Sequence, residues 1–297
     1  ATSGIISGTP LLTGARMITI SAINSQATGV ATLRLNVDVE PPGARDSGFV
    51  DPALNGTVTS VVVQPDGKVL LRFHGNTISE RPWSKQIIRL NTDGTHDTSF
   101  NSGTPYAGGG GTWGDRMVLQ PNGQLLVAGD FWRTYYRNNH DIARLNANGS
   151  VDESFNPGTD ADINIYCMLV QPDGRILIGG SSGHNLDRLN ANGSQDGTFL
   201  NNVNGDVYSM ALADNGQIYI GGDFTKVHGI YRTRLARIND NGTLDNTFAN
   251  ALVNGRVYTV ALRPDGKILI GGQFTNVGGQ ARGRMALINP DGTVDPD

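Results

Sequence analysis

This sequence is poor in several features that point to particular protein classes. It has one cysteine, Cys167, in 297 residues, which excludes an internal disulfide and therefore a small disulfide-stapled scaffold. Only 17% of the residues are charged and the formal net charge is -4, so nothing predicts the clustered basic surface that binds nucleic acid. Apolar runs extend over only a few residues, whereas a membrane-spanning helix needs about 20. We therefore predict no nucleic-acid partner and no membrane span.

Glycine is abundant, and the sequence repeats itself. Forty glycines, many beside Asp or Asn, indicate a fold rich in tight turns. An apolar-Gln-Pro-Asp/Asn-Gly pattern, with small variations, begins at Val63, Leu119, Val170, Leu212 and Leu262. A second pattern, Arg-Leu-Asn-x-Asp/Asn-Gly-x-x-Asp-x-x-Phe, follows from Arg89, Arg144, Arg188 and Arg237, with a variant copy around Leu287. A period of roughly 50 residues is typical of propeller blades.

Each repeat is predicted to form four short strands. In the fourth repeat these are residues 208–212, 217–222, 234–239 and 243–248. The Asp-Gly and Asn-Gly pairs supply the positive φ that a two-residue hairpin needs, and the paired glycines that end the second strand predict a bend or a close backbone approach. We therefore predict an all-β protein, a β-propeller with five repeats of four-stranded antiparallel blades.

The same motifs carry a resemblance to a known family. The Gln-Pro-Asp-Gly-Lys, Gly-Gly-x-Phe and Arg-Leu-Asn-x-Asp-Gly-x-x-Asp-x-x-Phe strings resemble the delta-60 β-propeller repeat of large bacterial exported proteins, over about residues 44–297. The third repeat departs from it with Ser181 and Ser182 in place of Gly-x-Phe, and the first with Arg72-Phe-His. The resemblance implies an extracellular or cell-surface propeller, but it implies no agreed activity.

The N-terminal part differs in kind, and we predict three regions. Residues 1–40 alternate apolar and polar side chains as strands do, and they resemble the second half of an immunoglobulin-like domain of bacterial surface proteins. Residues 41–45 are a Pro/Gly linker, and residues 46–297 form the propeller. A half-sandwich exposes a sheet face and an unpaired edge, so residues 1–40 are a candidate for self-association.

Residues 46–49 match the Asp-x-x-Phe that ends a repeat, but no front half of a repeat precedes them. This segment would complete the last blade and close a five-bladed ring. The alternative is that the sequence was trimmed and that further repeats follow.

The sequence carries no recognisable metal or catalytic motif. The five histidines do not recur at one equivalent position, and the Asp of each Asp-Gly turn is required by hairpin geometry alone. We predict no cofactor, with calcium as the one alternative that the Asp-rich turns leave open. The Asp of each Asp-x-x-Phe is predicted to be structural. A glycosidase needs two carboxylates across a pocket, and Asp115, Asp130 and Asp223 are only candidates, so we predict that the chain is not an enzyme.

The topology of a blade places both Asx-Gly hairpins on one face of the propeller and the variable loops on the other. The loop face collects aromatic and basic side chains, and loops on a rigid scaffold commonly carry recognition residues. The candidate ligand-binding residues are Trp83, Trp113, Trp132, Arg133, Tyr135, Tyr136 and Tyr231.

Three functions follow as hypotheses. The leading one is a non-enzymatic extracellular adhesion module that binds a glycan or a protein through the loop face. The second is a structural unit of a fibre, stalk or matrix, and the third is a glycan-active propeller enzyme.

Overall fold

The computed structural model describes nine stretches of the chain. They are residues 14–23, 28–37, 48–52, 54–76, 84–101, 116–129, 142–158, 164–181 and 185–296. Within them every regular element is a β-strand, and no helix there is long and apolar enough to cross a membrane. The chain divides into two compact units, Ala1–Val50 and Asp51–Asp297, which are described separately.

Among its described residues, the first unit forms one antiparallel hairpin. Strand β1 (Gly14–Ile23) pairs with β2 (Thr28–Val37), from Gly14 opposite Val37 to Ile23 opposite Thr28. A single hairpin does not decide between an immunoglobulin-like half-sandwich and other β structures, so that assignment and the predicted domain bounds stay predictions. The segment predicted to close the ring, residues 46–49, lies partly outside the described residues, and ring closure also stays a prediction.

The second unit is built from five three-stranded antiparallel sheets, which we call blades one to five. Blade one comprises β3 (Asn55–Val63), β4 (Val69–Asn76) and β5 (Ser84–Leu90), and blade two comprises β6 (Arg116–Leu119), β7 (Leu125–Ala128) and β8 (Ile142–Leu145). Blade three comprises β9 (Ile165–Val170), β10 (Ile176–Gly180) and β11 (Leu186–Leu189). Blade four comprises β12 (Val207–Leu212), β13 (Ile218–Gly222) and β16 (Leu235–Ile238), with a small hairpin of β14 (Lys226–Val227) and β15 (Ile230–Tyr231). Blade five comprises β17 (Val257–Leu262), β18 (Ile268–Gly272) and β21 (Met285–Ile288), with the hairpin of β19 (Asn276–Val277) and β20 (Gln280–Ala281). The five repeats of the sequence are thus confirmed.

The predicted fourth strand of each blade is corrected to a segment that makes a single β-bridge. In blade one this bridge joins Leu90 to His96, and the other four blades repeat it. The reason is the Asp-x-x-Phe turn that follows. Asp97 Oδ1 accepts a hydrogen bond from the Ser99 amide at 3.0 Å, and the Phe100 amide donates to the Asp97 carbonyl at 3.2 Å. The chain therefore turns away from the sheet after one bridge, and the Asn101 amide donates to the Asn148 carbonyl of blade two at 3.0 Å.

An Arg–Asp–Phe contact joins each blade to the next. In blade one, Arg89 Nε donates to Asp97 Oδ2 at 2.8 Å, while Arg89 Nη1 donates to the Ala147 carbonyl of blade two at 2.8 Å. The guanidinium carbon lies 4.9 Å from the centre of the Phe100 ring, close enough for a cation–π attraction. The contact recurs through Arg144, Arg188 and Arg237, with Asp152, Asp196 and Asp245. The recurrent aspartate is therefore structural, as predicted.

The apolar core lies between successive blades. We call the side of a blade that packs against the following blade its forward face, and the opposite side its rear face. Leu177 and Leu186, on the forward face of blade three, share one cluster with Ile218 and Ile220, on the rear face of blade four. Cys167 packs against the same cluster, and burial raises the pKa of its thiol to about 12. Cys167 therefore fills apolar space between blades three and four.

Two glycines at the end of the second strand allow a bulge in the first strand. In blade four, the pairing between β12 and β13 shifts register between Val207 and Ser209, opposite Gly221 and Gly222. A Cβ atom on Gly222 would clash with the Asp206 carbonyl, so only glycine fits this close approach. The predicted role of the paired glycines is confirmed, and the Asp223 amide here donates to the Asp206 carbonyl at 2.9 Å.

The close approach at Gly222 yields a first prediction. Gly222→Ala should lower the free energy of unfolding by about 1–3 kcal/mol, because the added methyl group overpacks the strand crossing. Gly197→Ala is the matched control, since a Cβ atom there meets no atom within 4 Å, and it should change stability by less than about 0.5 kcal/mol. Urea unfolding of both variants checks this, and equal stability of the two would contradict it.

The carboxylates of the inter-blade contacts should make stability depend on acid pH. Burial alone would raise the pKa of Asp152, but hydrogen bonds from Ser154 and Arg144 outweigh it and lower the pKa to about 2. A folded-state pKa below the unfolded value stabilises the fold above about pH 4, and this stabilisation is lost as the pH falls toward 2. Asp152→Asn should therefore lower the free energy of unfolding by about 2 kcal/mol at pH 7. The difference from the parent chain should shrink toward zero near pH 2 in denaturant titrations, and a difference that stays constant with pH would refute this assignment.

Candidate functional site

Three tyrosines from successive blades form a row that we call the tyrosine ladder: Tyr166, Tyr208 and Tyr258. They lie on β9, β12 and β17, the first strands of blades three, four and five, which are neighbours in the structure. The ring centres of Tyr166 and Tyr208 are 5.3 Å apart, and those of Tyr208 and Tyr258 are also 5.3 Å apart. The rings are tilted by 48° and 52° to one another.

The bulges put the tyrosines in this row. Each of the three is the extra residue at a register shift, so it has no opposite partner on the second strand. A bulge changes the direction of its side chain relative to regular strand alternation and is common beside functional sites. In blade one the corresponding bulge residue is Thr59. In blades three, four and five, the bulge that carries each tyrosine lies opposite the paired glycines.

Polar groups lie beside the tyrosine hydroxyls. Tyr208 Oη donates to Asp206 Oδ2 at 3.2 Å, and burial together with the adjacent Asp206 carboxylate raises the pKa of Tyr208 to about 12. The Tyr208 hydroxyl therefore stays protonated at neutral pH and keeps its single hydrogen on Asp206. In blade three, Tyr166 Oη donates to Ser181 Oγ at 3.3 Å, and Asn164 Nδ2 donates to the same oxygen at 3.3 Å.

A charged cluster continues the site between blades four and five. Asp223 accepts hydrogen bonds from Arg256 Nε at 2.8 Å and from Arg234 Nε at 3.3 Å. Hydrogen bonds with Tyr258 and with Asp223 raise the pKa of the Arg256 guanidinium, which ties the cluster to the end of the ladder. At the other end, Arg116 Nε donates to the Tyr166 carbonyl at 2.8 Å. The ladder is therefore bordered by arginines on both sides.

Most of the predicted binding residues lie outside the part of the chain that the structure describes. Trp83, Trp113, Trp132, Arg133, Tyr135 and Tyr136 lie outside the described residues. Tyr231 is described: it lies on β15, keeps 57% of its surface exposed, and its carbonyl accepts a hydrogen bond from Asn250 Nδ2 at 3.4 Å. Among the candidate carboxylates, Asp223 belongs to the charged cluster, whereas Asp115 and Asp130 lie outside the described residues. The loop-face set therefore stays a prediction.

Sequence reasoning missed the ladder, although a signal for it is present. A tyrosine follows an Ile or Val at the start of the first strand in three consecutive repeats, at Tyr166, Tyr208 and Tyr258. Recurrence at one structural position is what the histidines lack. The alternation of side chains along a strand predicts regular pairing for these tyrosines. The bulge that redirects them becomes visible only from the register of the neighbouring strand.

The aspartates of the Asp-Gly turns accept hydrogen bonds from residues of the same turn. Asp93 Oδ1 accepts hydrogen bonds from the Thr95 amide at 3.0 Å and from Thr95 Oγ1 at 2.6 Å, and these bonds lower the pKa of Asp93. Asp291 makes the same contacts with Thr293. Across the described residues, no group of three or more His, Cys, Asp or Glu side chains could hold a metal ion. The prediction of no cofactor, and calcium as its alternative, stay predictions.

The chain was compared with known families and with solved structures. The family model described as "Domain of unknown function (DUF5122) beta-propeller" matches residues 64–100, 120–155, 171–199, 214–248 and 263–297. No curated protein matches the sequence significantly. These five segments confirm the resemblance to the delta-60 type of repeat and the all-β propeller class.

Solved structures share the fold at low sequence identity. Virginiamycin B lyase from Staphylococcus aureus is 17% identical, with a TM-score of 0.54 over 82% of this chain and 71% of that one. A streptogramin B lyase is 14% identical, with a TM-score of 0.53 over 93% and 74%. A GH74 xyloglucanase from Xanthomonas campestris is 16% identical, with a TM-score of 0.50 over 78% and 38%.

These comparisons contradict the prediction that the chain is not an enzyme, because the propellers that it resembles include two lyases and a xyloglucanase. The prediction rested on missing linear motifs, and a site assembled from several blades leaves no such motif. At these identities the likeness shows the fold alone, so no activity follows from it. The five matched segments together cover more than half of the residues, and this protein therefore belongs to the family described as the domain of unknown function DUF5122 β-propeller.

Proposed function

We propose that this protein is an extracellular glycan-binding propeller and that the tyrosine ladder is its binding surface. The observation that carries the proposal is the row of three tyrosine rings, Tyr166, Tyr208 and Tyr258, at 5.3 Å intervals on adjacent blades. Aromatic rings offer an apolar face to the C–H side of a sugar, and tyrosine adds a hydroxyl for hydrogen bonding. A row of such rings suits a chain of sugar units. The extracellular location is proposed from the exported character that the delta-60 resemblance implies.

The polar groups at the ladder support a ligand rich in hydroxyls. Asp206 and Ser181 already receive the tyrosine hydroxyls, and each oxygen has further lone pairs that can accept from a ligand. Arg256 is half-exposed and can donate its remaining N–H groups while its Nε stays paired with Asp223. Tyr258 is 42% exposed, so the end of the ladder next to Arg256 is open to solvent.

A second candidate function is catalysis on the bound glycan, with Asp206 and Asp223 as its carboxylates. The observation that favours it is the bulge, which brings the backbones of these two residues into hydrogen-bond contact beside the ladder. Two carboxylates at one sugar site are the requirement of glycoside hydrolysis. Asp206 accepts a hydrogen bond from Tyr208, and Asp223 pairs with Arg234 and Arg256.

The ladder can be tested by glycan-array binding of the full chain and three variants. Tyr258→Ala should weaken binding roughly tenfold or more, because a ring in contact with a sugar contributes on the order of 1–3 kcal/mol. Tyr258→Phe should keep most of the affinity, since the ring remains. Leu200→Ala is the control, because Leu200 is an exposed residue of the same unit that belongs neither to the ladder nor to the loop-face candidates, and it should bind as the parent chain does.

Two outcomes would redirect the proposal. Unchanged binding by Tyr258→Ala would refute the ladder as the binding surface. If binding is instead lost in a variant with Trp83, Trp132 and Tyr136 changed to Ala, the loop face is the binding surface, as the sequence predicts. Products released from a bound glycan by the parent chain, but not by Asp223→Asn, would establish catalysis.

A further inference from the structure

One side of the fifth blade lacks the cover that the other blades have. Equivalent positions on the forward faces of blades one to four are all buried, namely Leu70, Leu126, Leu177 and Tyr219 on the second strand. The corresponding residue of blade five, Leu269, is 36% exposed. On the third strand, Ile87, Ile142, Leu186 and Leu235 are buried, whereas Met285 is 62% exposed. Blade five therefore presents an apolar forward face to solvent.

Blade one leaves its rear face uncovered. On its rear face, Val61 is 56% exposed and Val63 is 64% exposed. The equivalents of Val61 in blades two and five, Met117 and Val260, are buried against the preceding blade. The exposed valines thus occupy positions that elsewhere make the inter-blade core.

We propose that the forward face of blade five binds the rear face of blade one in a second copy of this chain, so that copies join head to tail. A second copy fits this face because the same kind of interface is already present within the molecule. The same two sets of positions pack together four times within the chain, between blades one and two, two and three, three and four, and four and five. Forward and rear faces fit each other at these four junctions. The exposed forward face of blade five should therefore fit the exposed rear face of blade one.

A polar contact of the inner strands points to the same pairing. At one equivalent position of the first strand, Arg116 Nε donates to the Tyr166 carbonyl of the next blade at 2.8 Å, and Ser209 Oγ accepts from the Val260 amide of the next blade at 3.0 Å. Thr259 holds this position in blade five. Its hydroxyl is therefore placed to reach the first strand of a blade that covers the forward face.

One residue makes the proposed contact between copies weaker than the contacts between the blades of one chain. The arginine of the Arg–Asp–Phe contact is replaced by Leu287 in blade five, so the guanidinium bond to the next blade is missing. We therefore expect a reversible association that increases with protein concentration. Because the pairing joins two different surfaces, it is heterologous and continues from copy to copy unless the rotation closes a ring.

The test is sedimentation velocity of the full chain over a hundredfold range of concentration, with two variants that each block one face. Val61→Asp blocks the rear face of blade one, and Met285→Glu blocks the forward face of blade five. Both residues are exposed in a single copy, so the variants should melt as the parent chain does. Each variant alone should remain a monomer, while the parent chain associates. Ile230→Lys is the control, since Ile230 is exposed on the β15 hairpin outside both faces, and it should associate like the parent chain.

Mixing the two variants gives the decisive result. In a one-to-one mixture, the intact forward face of the Val61→Asp chain can bind the intact rear face of the Met285→Glu chain, so a dimer should form and growth should stop there. Both substitutions add negative charge, so the two blocked faces repel and cannot imitate the result. A parent chain that stays monomeric at every concentration would overturn the proposal, as is expected if blade five packs against blade one of the same copy. A mixture that forms no dimer would also overturn it. Association of either variant alone would also overturn it, because that requires a pairing of like faces.

Discussion

An arginine near the end of the third strand joins each of blades one to four to the blade that follows it. In blade three, Arg188 binds Asp196 of its own blade at 2.8 Å, stacks 4.6 Å above Phe199, and donates to the Asp240 carbonyl of the next blade. The fully buried guanidinium thereby gains charge-assisted bonds and an aromatic contact that offset its desolvation. The contact fixes the turn that ends a blade and the register of the next blade in one step. The apolar clusters between successive blades lie beside this contact.

The bulge beside the paired glycines connects this scaffold to the candidate site. Without a Cβ atom, Gly222 lets the strand that carries Asp206 cross close to the second strand, and the extra residue of the bulge, Tyr208, leaves the regular alternation. Since neighbouring blades repeat the bulge, the redirected side chains meet as a row. Within one blade the bulge is a structural feature. When blades three, four and five lie side by side, their bulges place three tyrosines in one surface.

The propeller fold is compatible with both binding and catalysis, and the comparisons illustrate this for lyases and a xyloglucanase. A search for linear motifs is a poor guide in such a fold, because the residues of one site come from separate repeats about 50 positions apart. Tyr166, Tyr208 and Tyr258 meet in this way, and Arg256 of blade five pairs with Asp223 of blade four. Function in this family is therefore better sought at equivalent positions of successive blades than along the chain.

Local rules of the sequence were enough to determine the repeat, the hairpin turns, the role of the paired glycines and the structural aspartates. Each depends on neighbours within a few residues, such as the positive φ of Gly94 or the bonds between Asp97 and Ser99. The missing fourth strand, the tyrosine ladder and the uncovered faces of blades one and five required the tertiary structure. They depend on the register between strands and on contacts between blades, which local preference does not encode. Tyr208 and Met285 carry no local sign of their roles: what decides them is whether another blade lies beside them.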